Sequence, residues 1–203
     1  MRKLLLFAFM LAASLEASAQ THRLGLTLGR ISGPARASAG GDLQLDSGIA
    51  LQANYGYRFL QRRAFALIGE VHFLANGQRE IGSSNPAATR DVATLFVTPG
   101  IRVAFGPFGR IVPYAAVGGG YALYEQSFFR IDGASNEAPR FTHRGAFMFG
   151  GGVDIPVWRS LGARLEVRDF YTGNPSFNTA LRSGGQHNVV AGGGFVVSWG
   201  SNE

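Results

Sequence analysis

The chain has 203 residues, 29 of them glycine and none cysteine, and it carries 19 basic against 13 acidic side chains, a formal net charge of +6. Without cysteine there is no disulfide framework and no thiol chemistry, and no internal stretch approaches the ~18 apolar residues that mark a membrane-spanning helix. The fold must therefore be held by burial or by a closed ladder of backbone hydrogen bonds.

The first nineteen residues form a leader. Arg2 and Lys3 give a charged start, Leu4 to Leu15 an apolar run broken only by Ser14, and Ala17-Ser18-Ala19 an A-x-A cleavage site. That order of regions is a secretory signal peptide, so we expect a leader over 1–19 and one domain over 20–203. Its removal leaves 184 residues with 17 basic and 12 acidic side chains, because Arg2, Lys3 and Glu16 go with it. Lys3 is the only lysine. Arginine stays charged when buried and forks onto carboxylates, which suits an enclosed ion-pair network.

After the leader, eight period-2 runs alternate with punctuation. The first, Arg23–Ile31, sets Leu24, Leu26 and Leu28 against Gly25, Thr27 and Gly29. A polar loop, 32–46, follows. The second, Gly48–Phe59, sets Ile49, Leu51, Tyr55, Tyr57 and Phe59 against Gln52, Asn54, Gly56 and Arg58. A short link leads to the third, Ala64–Leu74, with Phe65, Leu67, Val71 and Phe73 against Ile68, Glu70 and His72. A second polar loop is expected over 75–91. The fourth, Val92–Phe105, sets Leu95, Val97, Ile101, Val103 and Phe105 against Thr94, Phe96, Thr98 and Arg102. A Gly106-Pro107-Phe108-Gly109 turn precedes the fifth, Ile111–Tyr124, and a third polar loop, 125–142, precedes the sixth, His143–Val157. The sixth opposes Phe147, Phe149, Val153 and Ile155 to Met148 and Asp154; the seventh, Leu161–Tyr171, opposes Leu161, Leu165 and Val167 to Arg164, Glu166 and Arg168. After the loop 172–186 the eighth, His187–Trp199, sets Val189, Phe195, Val197 and Trp199 against Asn188, Val190 and Ser198.

The connections alternate long and short from end to end. Bacterial outer-membrane barrels have long extracellular loops, short periplasmic turns and an even strand number. Each run is also long enough for the ~9–11 residues that a tilted strand needs to cross a bilayer. The phase of the faces points the same way. Eight bulky apolar faces turned inward would overfill a lumen just wide enough for side chains. Turned outward they meet lipid, and Arg58, Glu70, Arg102, Asp154, Arg164, Glu166 and Arg168 face one another inside. We therefore expect an all-β, eight-stranded antiparallel up-and-down transmembrane β-barrel. The eighth run should pair with the first, because that closure removes both sheet edges. Phe195, Val197 and Trp199 should then face lipid.

Glycine triplets recur at Gly118–Gly120, Gly150–Gly152 and Gly192–Gly194, where tight coiling needs close backbone approach. Aromatics gather near the run ends. Phe59, Phe65, Phe105, Phe108, Trp158 and Trp199 lie toward the short turns; Tyr121, Tyr124, Phe128, Phe129, Phe141, Phe147, Phe170 and Tyr171 lie toward the long loops. Two such girdles are expected at two membrane interfaces.

Over the whole mature chain these features resemble the small eight-stranded outer-membrane barrels: the OmpA-type transmembrane domain and its opacity-protein and outer membrane protein beta-barrel domain relatives. The likeness rests on Pro113-Tyr114 leading into Gly118-Gly119-Gly120, on Arg164 to Phe170, and on the closing Phe195 to Trp199. It implies a Gram-negative outer-membrane location, insertion by the barrel-assembly machinery, contact with outer-membrane lipid and lipopolysaccharide, and a lumen charge network that either plugs the barrel or gates a small pore. The chain stops four residues after Trp199, so the peptidoglycan-binding domain of full-length OmpA is not expected.

Some barrels of this size modify lipid A with serine, histidine and a carboxylate, and the deacylase type carries His-x-Ser on one strand. His22, His72, His143 and His187 all lack that pattern, which leaves only a loop-borne triad with Ser127, Ser135 or Ser183. No histidine pair has metal-ligand spacing. We expect no catalytic site, metal or cofactor, no nucleic-acid partner for an exported barrel, and a monomer. The roles open are a structural or surface-interaction barrel, a narrow gated pore and, third, a lipid A hydrolase. N-terminal sequencing of protein purified from outer membranes should begin at Gln20; a mature chain still carrying Met1 would remove the leader assignment.

Overall fold

The period-2 alternation is realised as strands that put their bulky apolar residues on one face and small or polar residues on the other. The computed structural model describes residues 21–38, 41–106, 108–175, 177–179 and 184–200. The expected leader, 1–19, lies outside the described residues, as do Arg182 and Ser183. Ten strands are described: β1 (Thr21–Ser32), β2 (Arg36–Ser38), β3 (Gly41–Leu45), β4 (Gly48–Gln61), β5 (Phe65–Ser83), β6 (Asp91–Phe105), β7 (Val112–Gln126), β8 (Phe141–Pro156), β9 (Leu161–Thr172) and β10 (Val189–Trp199).

Eight of them form a closed antiparallel ring in the order β1, β4, β5, β6, β7, β8, β9, β10 and back to β1. The closure pairs Leu24 with Val197, Thr27 with Gly194 and Ser32 with Val189. This is the expected up-and-down barrel. In lipid no water satisfies backbone groups, so a ring without edges is what strands need in order to cross. The ladder is interrupted at few places. On β6 and β7 it runs to Val97 opposite Tyr121 and resumes at Gly100 opposite Gly118, around Pro99, which has no N–H to donate.

The outer face is apolar. Leu28, Ile49, Leu51 and Leu165 are each more than half exposed, at 60%, 72%, 58% and 59%. Four such side chains on a mid-barrel wall have a favourable environment only in lipid. Trp199 stacks on His22 at 5.7 Å in the short-turn girdle. In the long-loop girdle Tyr121, Phe141, Phe147 and Tyr171 point outward. Tyr124 and Phe170 do not. Both are fully buried in the lumen, which corrects their assignment to that girdle: they sit in the inner phase of β7 and β9.

Two loop assignments are also corrected. β5 continues nine residues past Leu74, through a register shift between Asn76 and Arg79, and pairs Arg79 with Val92 and Glu80 with Asp91 beyond the barrel wall. In the first long loop β2 and β3 form a hairpin that adds to this extension, Leu43 opposite Ser83 and Leu45 opposite Ile81. The alternation Asp42, Leu43, Gln44, Leu45 buries its two leucines.

The lumen is narrow enough that some inner positions admit no side chain. A Cβ added at Gly194 would press on Leu26 O and come within 2.7 Å of Thr27 Cα. Gly152 is similarly placed against Leu165 O and Glu166 Cα. Backbone at this separation cannot yield without opening the β1–β10 seam. Gly194→Val is therefore expected to prevent closure. On unheated gels the variant should run with the mobility of unfolded chain, while Gly145→Val, at a position where a Cβ meets nothing within 4 Å, should keep the folded mobility.

Candidate functional site

The site is the lumen, and it is built in layers. Six side chains from β5, β6, β8 and β9 meet near the short-turn half. Asp154 takes Arg164 as a fork: Nε donates to Oδ1 at 2.7 Å and Nη2 to Oδ2 at 2.9 Å. Glu70 stands between Arg168, at 2.7 Å, and Arg102. Arg168 Nε also donates to Glu166 at 2.9 Å. Thus Glu70, Asp154 and Glu166 face Arg102, Arg164 and Arg168, three charges of each sign. All six are 4% exposed or less. A buried charge costs several kcal/mol unless it is paired and its remaining atoms are bonded.

Neutral groups add to the pairing, while Arg102 Nε, Arg168 Nη2 and Asn54 Nδ2 are buried without a hydrogen-bond partner. Thr27 Oγ1 and Tyr114 OH each donate to Glu166 at 2.8 Å. Asn54 Oδ1 accepts from Arg164 at 2.7 Å, and Gln52 links Thr27 at 3.0 Å to His72 at 3.2 Å. The Arg102 guanidinium lies over the Tyr114 ring at 4.2 Å, and that of Arg164 lies at 5.2 Å. A cation over an aromatic face gains roughly 2 kcal/mol when desolvated.

Toward the long loops the lumen is apolar. Leu74, Phe96, Ala122, Tyr124, Met148, Phe170 and Val190 are buried there, together with Leu43 and Leu45 of the β2–β3 hairpin and Phe177 of the last loop. Phe96 and Phe170 pack at a tilt with ring centres 5.0 Å apart, and Phe177 meets Tyr124 edge-on at 5.7 Å. This second layer was not expected from the sequence. A smaller apolar cluster of Ala66, Ile68, Ala104 and Tyr114 lies on the short-turn side of the charges.

Arg58 stands apart from the six. It is half-buried at the short-turn mouth and donates to Gln61 Oε1 at 3.0 Å. The sequence reading also missed Arg23, in the inner phase of β1, which reaches Asp154 Oδ2 at 3.3 Å and Ser198 Oγ at 3.2 Å. The two arginines share a mouth cavity of about 490 Å³ with Gln61, Arg110 and Pro156. On β10, Phe195 and Trp199 face outward and are nearly half exposed, and Ser198 faces in toward Arg23.

Residues 5–194 match the family described as the outer membrane protein beta-barrel domain. The chain belongs to that family. The fold is similar to two solved barrels. The outer membrane protein OprG from Pseudomonas aeruginosa is 16% identical with a TM-score of 0.54, over 91% of this chain and 97% of that one. Neisserial surface protein A is 11% identical with a TM-score of 0.51, over 89% and 97%. No curated protein matches the chain.

Members of this family sit in the outer membrane, and here the long loops are knitted together. Thr89 N donates to Phe177 O at 3.2 Å, Ile131 N to Ala88 O at 2.9 Å and Asn85 Nδ2 to Thr179 Oγ1 at 2.6 Å. Arg36, 7% exposed, closes over the lumen from β2 and donates to Asn174 Oδ1 at 2.7 Å. Burial pushes its guanidinium below the ordinary arginine value.

Of the catalytic candidates, His187 Nδ1 pairs with Asp169 Oδ2 at 2.6 Å on the outer rim. Ser127 Oγ accepts from Phe129 N at 3.3 Å within its own loop. Tyr121 OH engages His143 Nδ1.

Asp154→Ala would leave Arg164 with a buried, unmatched charge, and the expected loss is ~3–5 kcal/mol of unfolding free energy. Arg23→Ala removes only a rim partner and should cost ~1 kcal/mol or less. Urea unfolding from vesicles, followed by the fluorescence of Trp158 and Trp199, measures both. Equal losses would mean that the fork does not hold the layer.

Proposed function

We propose that the protein is a non-enzymatic structural and surface-interaction barrel of the outer membrane, exported by its leader and inserted by the barrel-assembly machinery as a monomer. One observation carries this reading: the lumen is closed twice, by a neutral ion-pair layer and by the apolar layer above it. An ion entering from the short-turn mouth would have to separate three matched charge pairs and then pass Phe96, Tyr124 and Phe170, which have no accessible surface at all. Neither barrier offers a hydrated path.

The surface that remains for interaction is the loop side. Arg140 lies over the Phe128 ring at 3.9 Å and Arg90 over Phe129 at 5.3 Å, around a depression of about 360 Å³ that also takes in Asp91 and Glu125. Arg140 bonds Glu125 and Arg90 bonds Asp91, and the remaining guanidinium nitrogens above aromatic faces suit the phosphates and sugars of lipopolysaccharide, the partner we assign to this rim. The second reading, a narrow gated pore, is favoured by the mouth cavity, which brings water to Arg23, a direct partner of Asp154 in the ion-pair layer.

Planar-bilayer recording separates the two. The wild type and Glu70→Ala should both be silent, because removing one charge leaves the apolar layer in place. A stable wild-type conductance that changes with Glu70→Ala or Arg102→Ala would overturn the closed lumen in favour of the pore.

A further inference from the structure

The same lumen treats its arginines in two ways. On the short-turn side Arg102, Arg164 and Arg168 are matched by Glu70, Asp154 and Glu166. On the long-loop side Arg79 is 1% exposed and Arg36 is 7% exposed, and among the described residues neither has a carboxylate within 4.0 Å.

Arg79 Nη2 donates to Asn188 Oδ1 at 2.9 Å. Its Nε and Nη1 are buried with no hydrogen-bond partner, as is Arg36 Nε. The Arg36 nitrogens that do donate reach only neutral oxygens, Asn174 Oδ1 and Pro175 O. Asn188 in turn donates through Nδ2 to the Tyr124 hydroxyl at 3.1 Å, and that hydroxyl bonds Thr172 Oγ1 at 2.8 Å. Arg79 and Arg36 are each an enclosed cation with unused donors and only neutral acceptors. The full cost of a buried, unmatched charge applies to both, and leaving each N–H unbonded adds to it.

We propose that Arg79 binds a small inorganic anion of chloride's size on its unused Nε and Nη1 donors. The anion does for the upper layer what Glu70 does for the lower one.

The test uses the full mature chain refolded in an uncharged maltoside detergent, so that no headgroup supplies an anion. Chloride is exchanged for gluconate, a much larger anion, at constant ionic strength. The wild-type thermal midpoint should rise by at least ~2 °C and saturate with chloride concentration. Asn188→Asp places a carboxylate 2.9 Å from Arg79 Nη2 in an isosteric side chain; this variant should lose the chloride dependence. The broadening of the ³⁵Cl resonance should be larger for wild type than for Asn188→Asp. A midpoint indifferent to the choice of anion, or equal chloride broadening in both proteins, would overturn the proposal. Water bridging Arg79 to Asn76 Oδ1 or Gln186 Oε1, both also unmatched, would then be the satisfying group.

Discussion

A ring of eight strands has no edge, and in hydrocarbon that closure decides everything else. Each backbone N–H and C=O must find its partner in the neighbouring strand, because lipid offers none. The ring is small, so opposite walls approach, and the inner face must be filled to native density or left as voids. Gly152 and Gly194 are one answer, where a neighbouring backbone takes the space of a side chain. Long side chains reaching across the lumen are the other. Arg164, from β9, reaches Asp154 on β8 and Asn54 on β4 with one guanidinium. Glycine on one wall and arginine on another are thus two halves of one packing solution.

The arginines would be a liability in any other setting. Removing a guanidinium from water costs several kcal/mol, and an isolated pair often does no better than a hydrophobic pair of the same shape. The lower layer meets this by sharing. Glu70 serves Arg102 and Arg168, Glu166 serves Arg168 and takes two hydroxyls, and Asp154 accepts a fork. Arginine fits where lysine would not, since its planar head makes several bonds at once and its face lies on Tyr114. The result is a rigid, uncharged disc across the barrel, and rigidity follows from the geometry. No member can turn without breaking two or three charge-assisted bonds.

The barrel was legible because period-2 alternation and the long-short rhythm of connections are local signals, and eight repeats of them leave one topology. The lumen was legible where an inner residue carried a formal charge. It was not legible where the inner phase carried bulk. Phe96 was visible in that phase on β6, but Tyr124 and Phe170 lie near strand ends, where an aromatic of either phase suggests a girdle; following the alternation through Ala122 and Arg168 turns both inward. Arg23 opens the first run in the phase of Gly25 and Thr27, and could have been found by reading that inner phase back to the start of the run. Leu43 and Leu45 alternate with polar neighbours, yet a five-residue strand has no partner in its own sequence. It needs the extension of β5 past Arg79, and that extension crosses a register shift which breaks the alternation at Gly77 and Gln78.

The upper layer links the barrel to what it presents outside. Phe177 has φ 46°, and its neighbour Asn178 has φ 61°. A left-handed backbone at a bulky residue costs on the order of 1–3 kcal/mol and persists only where the surroundings over-determine it. Here they do. The Phe177 ring is fully buried against Tyr124, and its carbonyl accepts from Thr89 N in the second long loop. Asn136 of the third loop donates to Thr89 Oγ1 at 3.2 Å and accepts from Asn178 Nδ2 at 2.5 Å. The plug and the loop platform are therefore one structure. A side chain that closes the lumen also fixes the loops, and a surface fixed in advance loses little entropy when something binds to it. Opening the lumen from above would mean releasing Phe177, which would unfasten the second, third and fourth long loops together.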